Sequence, residues 1–383
     1  MQACGRVVSS GGAERHATTH TPAAGGSRAA PGLRAGGMAR IVIAGVGAIG
    51  ASIAYQLALR GADDVVLADR AEVASGSTGK AMGGIRQQFS TEAEVRLARA
   101  SIGFFQELGP PYFDQVGYLF FATTKDGLET LERRAELQRG LGVPVERVDP
   151  SQIGGLSTDD ILGAVACWED GVAEPAEVAR ELVRLAMELG VELREGSDAR
   201  ELERDVLVIA AGAFSPELWP GLPIRPLCRQ LVDVGPVAGV PDDLPMILEA
   251  ETGFHFRRRG DTLRLAMNEP TPRWTEREEV DEALVADWRE RLALRYPPAA
   301  GAPVVRAWAG LYDMTPDAHP IIGWLGEGVY AACGFSGHGF MQSPAVGVAV
   351  AEEILEGGTS FDLTPYRAER FAEGTVFPEE VVL

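Results

Sequence analysis

Basic residues are scarce in this chain of 383 residues: 35 lysines and arginines face 55 aspartates and glutamates, for a formal charge of -20. Such a surface repels polyanions, which argues against non-specific binding to nucleic acid or to an anionic membrane. Cysteine is sparse too. Cys4, Cys167, Cys228 and Cys333 form no CxxC pair and stand beside no histidine at metal-ligand spacing. Neither a disulfide framework nor a metal site is expected, and a reducing cytoplasm fits. No apolar run approaches the roughly 20 residues that a membrane helix needs. Internal repeats and coiled-coil heptads are also missing. What remains is the profile of a folded globular protein, 46% apolar and 23% charged, and its length favours two interleaved domains.

Residues 1–37 are rich in Gly, Ala, Ser, Thr and Arg and carry neither a strand period nor a helix period. They read as a flexible tail or a non-native extension, with Met38 as the biological start; the stretch has no apolar centre of the kind a secretory signal requires. Ile41–Ala44 is a short apolar run of the type found in buried parallel strands. A helical pattern follows with Ile49, Ile53 and Leu57 on one face and Gly61 as its stop. Val65–Ala68 is the next strand and ends at Asp69. A loop rich in Gly, Ser and Thr spans residues 75–84, and an amphipathic helix then places Ala93, Leu97, Phe104 and Leu108 on one face. Residues 117–122 read as a strand, 127–140 as a surface helix, Pro175 as the opening of a helix, and Val206–Ile209 as a buried strand. From Arg225 to about Glu269 the pattern becomes short strands and turns. Ser343-Pro344 reads as the start of a last helix that stops at Gly357-Gly358.

The fold class expected is therefore α/β: a discontinuous Rossmann-type domain from residues 39–115, 145–225 and 301–370, with a second, mostly antiparallel β-sheet domain for the substrate from residues 116–144 and 226–300.

The strongest chemical signal is Gly45-Val46-Gly47-Ala48-Ile49-Gly50 between a strand and a helix. Gly45 permits the sharp turn, Gly47 admits a pyrophosphate to the backbone, and Gly50 lets helix and strand pack closely. Helix N-terminal amides then bind the negative charge. Asp69, at the end of the second strand, is placed to accept hydrogen bonds from a ribose diol and to repel a 2′-phosphate. These features specify a dinucleotide and leave NAD and FAD open.

The stretches GVGAIGASIAYQLALRG, GSTGKAMGGIRQQF, DVLVIAAGAFS, WAGLYDMTPDAHPIIG and GFSGHGFMQSPAVG resemble the D-amino-acid-oxidase superfamily of FAD oxidoreductases. Within it the chain is most similar to the branch of sarcosine oxidase beta subunits, dimethylglycine and sarcosine dehydrogenases, and archaeal-type L-proline dehydrogenase subunits. The resemblance implies FAD, with the ADP half on residues 45–50, on Asp69 and Arg70, and on Ser77 and Thr78. Ala199 would meet the adenine, and Ala211 and Gly212 would complete that side. The ring would lie near Gly83, Gly84 and Ile85 and against the loop Gly334, Phe335, Gly337, His338, Gly339, Phe340 and Met341. The closing helix would aim its positive end, roughly half a charge, at that ring. Relatives that attach flavin through a cysteine before the TPD motif differ here, where Gly310 stands; others use a histidine where this chain has Pro175. Non-covalent FAD is the expectation.

For the substrate, the resemblance points to Arg86 as a carboxylate clamp. Glycine oxidases of the family carry an arginine where this chain has Tyr312. Arg264 matches a lysine that governs oxygen reactivity in monomeric sarcosine oxidases, and Met341 stands where those enzymes place a second cation. Tyr118, His255, Phe256 and Tyr312 are pocket candidates, His338 is the histidine of the flavin loop, and His319 reads as structural. The function expected is oxidation of the C–N bond of a small amino acid or secondary amine by hydride transfer, with oxygen or an electron-accepting partner subunit as acceptor, in a homo- or hetero-oligomer. The alternatives are a flavin subunit that is not autonomous, an assembly factor, and an NAD-linked dehydrogenase.

Overall fold

The computed structural model describes residues 39–382, so the expectations for residues 1–37 and for Met38 fall outside the described residues. β1 (Ile41–Ala44), α1 (Ala48–Leu59) and β2 (Val65–Ala68) form the anticipated strand–helix–strand unit. β1 pairs in parallel with β2 on one side and with Val206–Ile209 on the other. Glu192–Arg194 closes one edge of this six-stranded sheet. The antiparallel hairpin Ile321–Gly326 and Val329–Cys333 closes the other. All four residues of β1 are buried, which is why the run carries no polar alternation.

α1 packs against two helices, Pro175–Glu188 and Gly339–Glu356. Its Ile53 and Leu57 are fully buried, each burial contributing about 2 kcal/mol. The helix Glu92–Leu108 buries Val95, Leu97, Ala98, Ile102 and Phe105. The expected Phe104 and Leu108 lie at the margin of that stripe, half-buried.

An eight-stranded sheet forms the second layer. Its order is Val304–Met314, Arg225–Val234, Thr262–Ala266, His255–Arg259, Met246–Glu249, Tyr118–Ala122, Gly163–Cys167, Glu146–Val148. Among the described residues, one of its pairings is parallel, Met246–Glu249 with Tyr118–Ala122, and the rest are antiparallel. Three of these strands fall in segments expected to belong to the nucleotide domain. Glu146–Val148 and Gly163–Cys167 extend the sheet beyond Tyr118–Ala122, and Val304–Met314 pairs along the whole of Arg225–Val234. The sheet boundaries therefore do not follow residues 145 and 301.

The closing helix begins earlier than its sequence implies. It starts at Gly339, and Pro344 lies inside it. A proline there cannot donate to the carbonyl four residues back. The Ser343 hydroxyl donates to Phe340 O instead, at 2.9 Å, so the carbonyl stays satisfied and the helix continues through the proline.

Candidate active site

A cavity of about 570 Å³ runs from the β1–α1 turn to the start of the closing helix, within the size range of small-molecule and cofactor sites. At the first end the backbone is held by close approach. Gly45 has φ +114°, and a Cβ on it would stand 2.3 Å from Ala210 O; a Cβ on Gly50 would stand 1.9 Å from Gly45 O. Gly50 thus serves the packing of α1 on the turn, while Gly45, Val46, Gly47, Ala48 and Ile49 line the cavity. The Asp69 carboxylate accepts from Val46 N and Ala71 N, both at 2.9 Å, and so is fixed at the mouth. The Thr78 hydroxyl accepts from Ala48 N at 3.0 Å, and the Ser77 hydroxyl donates to Leu311 O at 2.6 Å. Arg70, Ala199, Ala211 and Gly212 complete this end. Arg70 is exposed and pairs with Glu217 at 2.9 Å.

At the far end the wall is Gly310–Asp313, Phe335, Gly337, Gly339, Phe340, His255 and Met267. The Tyr312 ring packs against Gly337, where a Cβ would meet it at 2.4 Å. Asp313 ties down the loop: its carboxylate accepts from Gly334 N at 2.7 Å and Phe335 N at 3.0 Å. Burial pushes the Asp313 carboxyl up, against the pull of those amides. Gly339 and Phe340 present the N-terminus of the closing helix to the cavity. Burial holds the His255 imidazole down at about 4, with Arg86 and Arg229 adding to the effect; its Nδ1 lies 2.6 Å from Gly253 O.

Several expected site residues are elsewhere. Gly83, Gly84, Ile85, Gly334 and Met341 do not line the cavity. Gly84-Ile85 pairs as a short strand with Gly171-Val172, and the Tyr118 ring backs Gly84. Phe256 is core. Arg264 is spent on Asp233, at 2.9 and 3.1 Å, and lies over the Trp308 ring. Arg86 is buried behind the cavity, its guanidinium over the Phe89 ring at 4.0 Å. It donates to Gln88 O and, at 2.8 Å, to Val381 O. His338 also meets Val381 O, Nε2 to O 3.1 Å, and burial with Arg86 nearby pushes its imidazole down to about 4. His319 is structural as expected, with Nδ1 2.8 Å from Glu94 and Nε2 2.6 Å from Phe377 O.

Sequence reasoning missed three features. The segment 377–382 straps across Arg86 and His338, held by Glu379, which accepts from the amides and hydroxyls of Ser90 and Thr91. No periodicity marks such a strap. Asp313 is visible in the sequence only as the acid following Tyr312. Arg229 lines the cavity from the strand Arg225–Val234; an arginine between Leu227-Cys228 and Leu231-Val232 is the available signal.

The family model for DAO, FAD dependent oxidoreductases, matches residues 40–353. The chain belongs to this family. FAD is its cofactor and it is an oxidoreductase by family. FAD-dependent oxidoreductase domain-containing protein 1 of Bos taurus is 29% identical over 90% of this chain and 87% of its own length. Glycine oxidase of Geobacillus kaustophilus is 26% identical over 86% of this chain and 96% of its own. Among solved structures, L-proline dehydrogenase from P. horikoshii superposes with a TM-score of 0.81 at 28% identity, covering 88% of this chain and 98% of that one. The residues present fit the family's cofactor: the backbone at Gly45 has no room for a side chain, a Cβ on Gly47 would press on the Thr78 hydroxyl at 3.0 Å, and Asp69 stands at the mouth of this cradle. No group of three metal-ligating side chains occurs among the described residues. No helix among them is long and apolar enough to cross a membrane.

Proposed function

We propose that this oxidoreductase oxidises the C–N bond of a small amino acid or secondary amine. The observation that carries the reading is the continuity of one cavity from the Gly45–Gly47 turn to the chamber walled by Tyr312, His255 and Met267. Glycine oxidase and L-proline dehydrogenase, two of the similar proteins, are named for amino-acid substrates.

FAD, when bound, supplies the hydride acceptor for the carbon next to nitrogen. The protein's part is binding, orientation and charge. Residues 45–49, Asp69 and Thr78 would hold the ADP half, and the loop before Gly339 would carry the ring. The positive end of the closing helix stabilises negative charge at that end of the cavity. His255, kept neutral, and the Tyr312 hydroxyl face the substrate without a fixed charge. A neutral amine needs no strong base, because its lone pair stabilises the iminium product; hydrolysis of that product follows for an acyclic substrate. The cofactor is held without a covalent bond. Gly310 offers no thiol, and burial pushes the thiol of Cys333, the cysteine on the cavity wall, up to about 12, far from a reactive thiolate.

Anaerobic mixing of the FAD-loaded protein with sarcosine, proline, dimethylglycine and D-amino acids tests the reading. Loss of the oxidised-flavin absorbance with at least one of them is expected; unchanged absorbance with all of them would overturn it.

A further inference from the structure

We propose that residues 377–382 form a gate over the chamber wall at Arg86 and His338, and that the His319 imidazolium is its latch, so that the gate loosens as pH rises. The role given to the chamber rests on the amine-oxidation reading above; the latch itself does not.

His319 is fully buried, and both of its ring nitrogens face acceptors. Nδ1 stands 2.8 Å from Glu94 Oε1 and Nε2 stands 2.6 Å from Phe377 O. A neutral imidazole carries one N–H and can serve only one of the two; serving both takes the imidazolium. The surroundings favour that cation. The Glu94 carboxylate, on the helix Glu92–Leu108, is buried and also accepts from Gln342 of the closing helix. Asp317 accepts from His319 N and is paired with Arg370, which also donates to His319 O. Tyr366 stands edge-on to the ring. Burial would lower the imidazole, but Glu94 and Asp317 hold it above its ordinary 6.5. When His319 loses a proton, the carboxylate keeps the remaining N–H as the stronger acceptor. The bare Nε2 lone pair then faces the Phe377 carbonyl, and the tie to the strap is lost. The Phe377 ring stacks on His319 with centroids 4.2 Å apart, so the strap begins on this imidazole.

Past the latch the strap crosses the back of the chamber. Glu379 N donates to Asp317 O at 3.1 Å, and Glu380 pairs with Arg134 at the surface. Val381 O takes Arg86 and His338, and Val382 O takes Asn268 Nδ2 at 3.3 Å. Asn268 in turn holds Arg229 on the cavity wall. The Arg86 charge bears on His255 and Tyr312, which wall the chamber. Lifting the strap therefore uncovers Arg86 and His338, both buried beneath it, and opens a way to the chamber that does not pass the Asp69 mouth. Two other titratable strap contacts keep their charge through neutrality. Burial would raise the Glu379 carboxyl, but Ser90 and its other donors hold it below the usual range, and burial keeps the His338 imidazole down at about 4. The direction of the response is therefore set by His319.

The test follows amide hydrogen exchange of residues 379–382 in the FAD-loaded protein from about pH 6 to about pH 9, with intrinsic rates divided out and the β1 amides as reference. The wild-type strap is expected to lose protection about 10-fold across that range, the order of one charge-assisted hydrogen bond, while β1 loses none. His319→Gln carries no titrating group there and should give a flat profile at the open level. Glu94→Gln should move the wild-type midpoint to lower pH. The rate of flavin bleaching by proline or sarcosine is then taken as the ratio of wild type to His319→Gln, which cancels the protonation of the amine. That ratio should rise toward one with pH, in step with exchange. A flat wild-type exchange profile, or an unmoved midpoint in Glu94→Gln, would overturn the latch. A strap that opens with pH at a constant bleaching ratio would overturn the gate and leave amine oxidation standing. No bleaching by either compound, with the exchange profile as expected, would count against the oxidation reading and leave the latch.

Discussion

Replacing Gly50 by alanine is the sharpest perturbation of the nucleotide turn. By helix propensity the change is favourable by about 1 kcal/mol, since Gly50 lies inside α1. Packing decides otherwise. The new Cβ would lie 1.9 Å from Gly45 O, whereas real Cβ atoms stay beyond 3.0 Å from such neighbours. The obstacle is backbone on both sides, so no side chain can rotate away; α1 must retreat from β1 by about 1 Å. A shift of that size in a close-packed core costs about 3 kcal/mol, partly offset by propensity. It also moves the Ala48 amide off Thr78 and the turn away from Asp69. The expected result is a Tm lower by roughly 2–4 °C and clear loss of FAD occupancy, read by differential scanning calorimetry and by flavin released on denaturation. Gly103→Ala is the control. Gly103 also lies inside a helix, but nothing stands within 4 Å of its would-be Cβ, and this variant should gain up to about 1 kcal/mol. A Gly50→Ala protein with wild-type Tm and full FAD content would refute the packing argument.

Asp69→Asn keeps the shape of the mouth but removes the carboxylate, and should weaken FAD binding by about 10–100-fold, measured by titrating apoprotein with FAD. Acid should destabilise the fold through two histidines. His255 and His338 are held down at about 4 from an ordinary 6.5, so the unfolded chain takes up their protons first. Their contribution is complete above pH 6.5 and is lost as pH falls from 6.5 toward 4, by roughly 3 kcal/mol each at the limit; denaturant melts across that window check it, and a flat profile contradicts it. His319 has the opposite sign. Burial alone would lower it, but Glu94 and Asp317 raise it, so its share of stability is present below pH 6.5 and fades as pH rises through its folded value. Glu379→Gln should release the segment 377–382 from Ser90 and Thr91 at a cost of about 2 kcal/mol, seen as faster limited proteolysis of that segment at unchanged FAD content.

The sequence was most legible where one local rule governs. The β1–α1–β2 unit, Val206–Ile209 and the helix opened by Pro175 follow from apolar runs, a glycine turn and a helix-initiating proline, and all three occur as read. The closing helix was misread because Pro344 looks like a first-turn residue; the Ser343 hydroxyl that satisfies Phe340 O is a three-dimensional detail. Within the cavity, the positions of Gly45, Gly47 and Asp69 follow from the turn itself, which is local in sequence. Residues brought together across strands carry no such local mark. Arg86 and Arg229 are both arginines in apolar surroundings, and only the pairing of Arg229 with Gly310 brings the second to the cavity, while the segment ending at Val382 covers the first. Arg264 fell on a matching strand position, yet its direction was set by Asp233.

The central claim is that the cavity between Asp69 and Gly339 is an FAD site. Its most direct test is the visible spectrum of the purified protein, together with the flavin released when it is denatured. The account predicts a yellow protein with oxidised-flavin bands that releases FAD, stoichiometric with chain once reconstituted. A colourless protein that takes up no added FAD would contradict it.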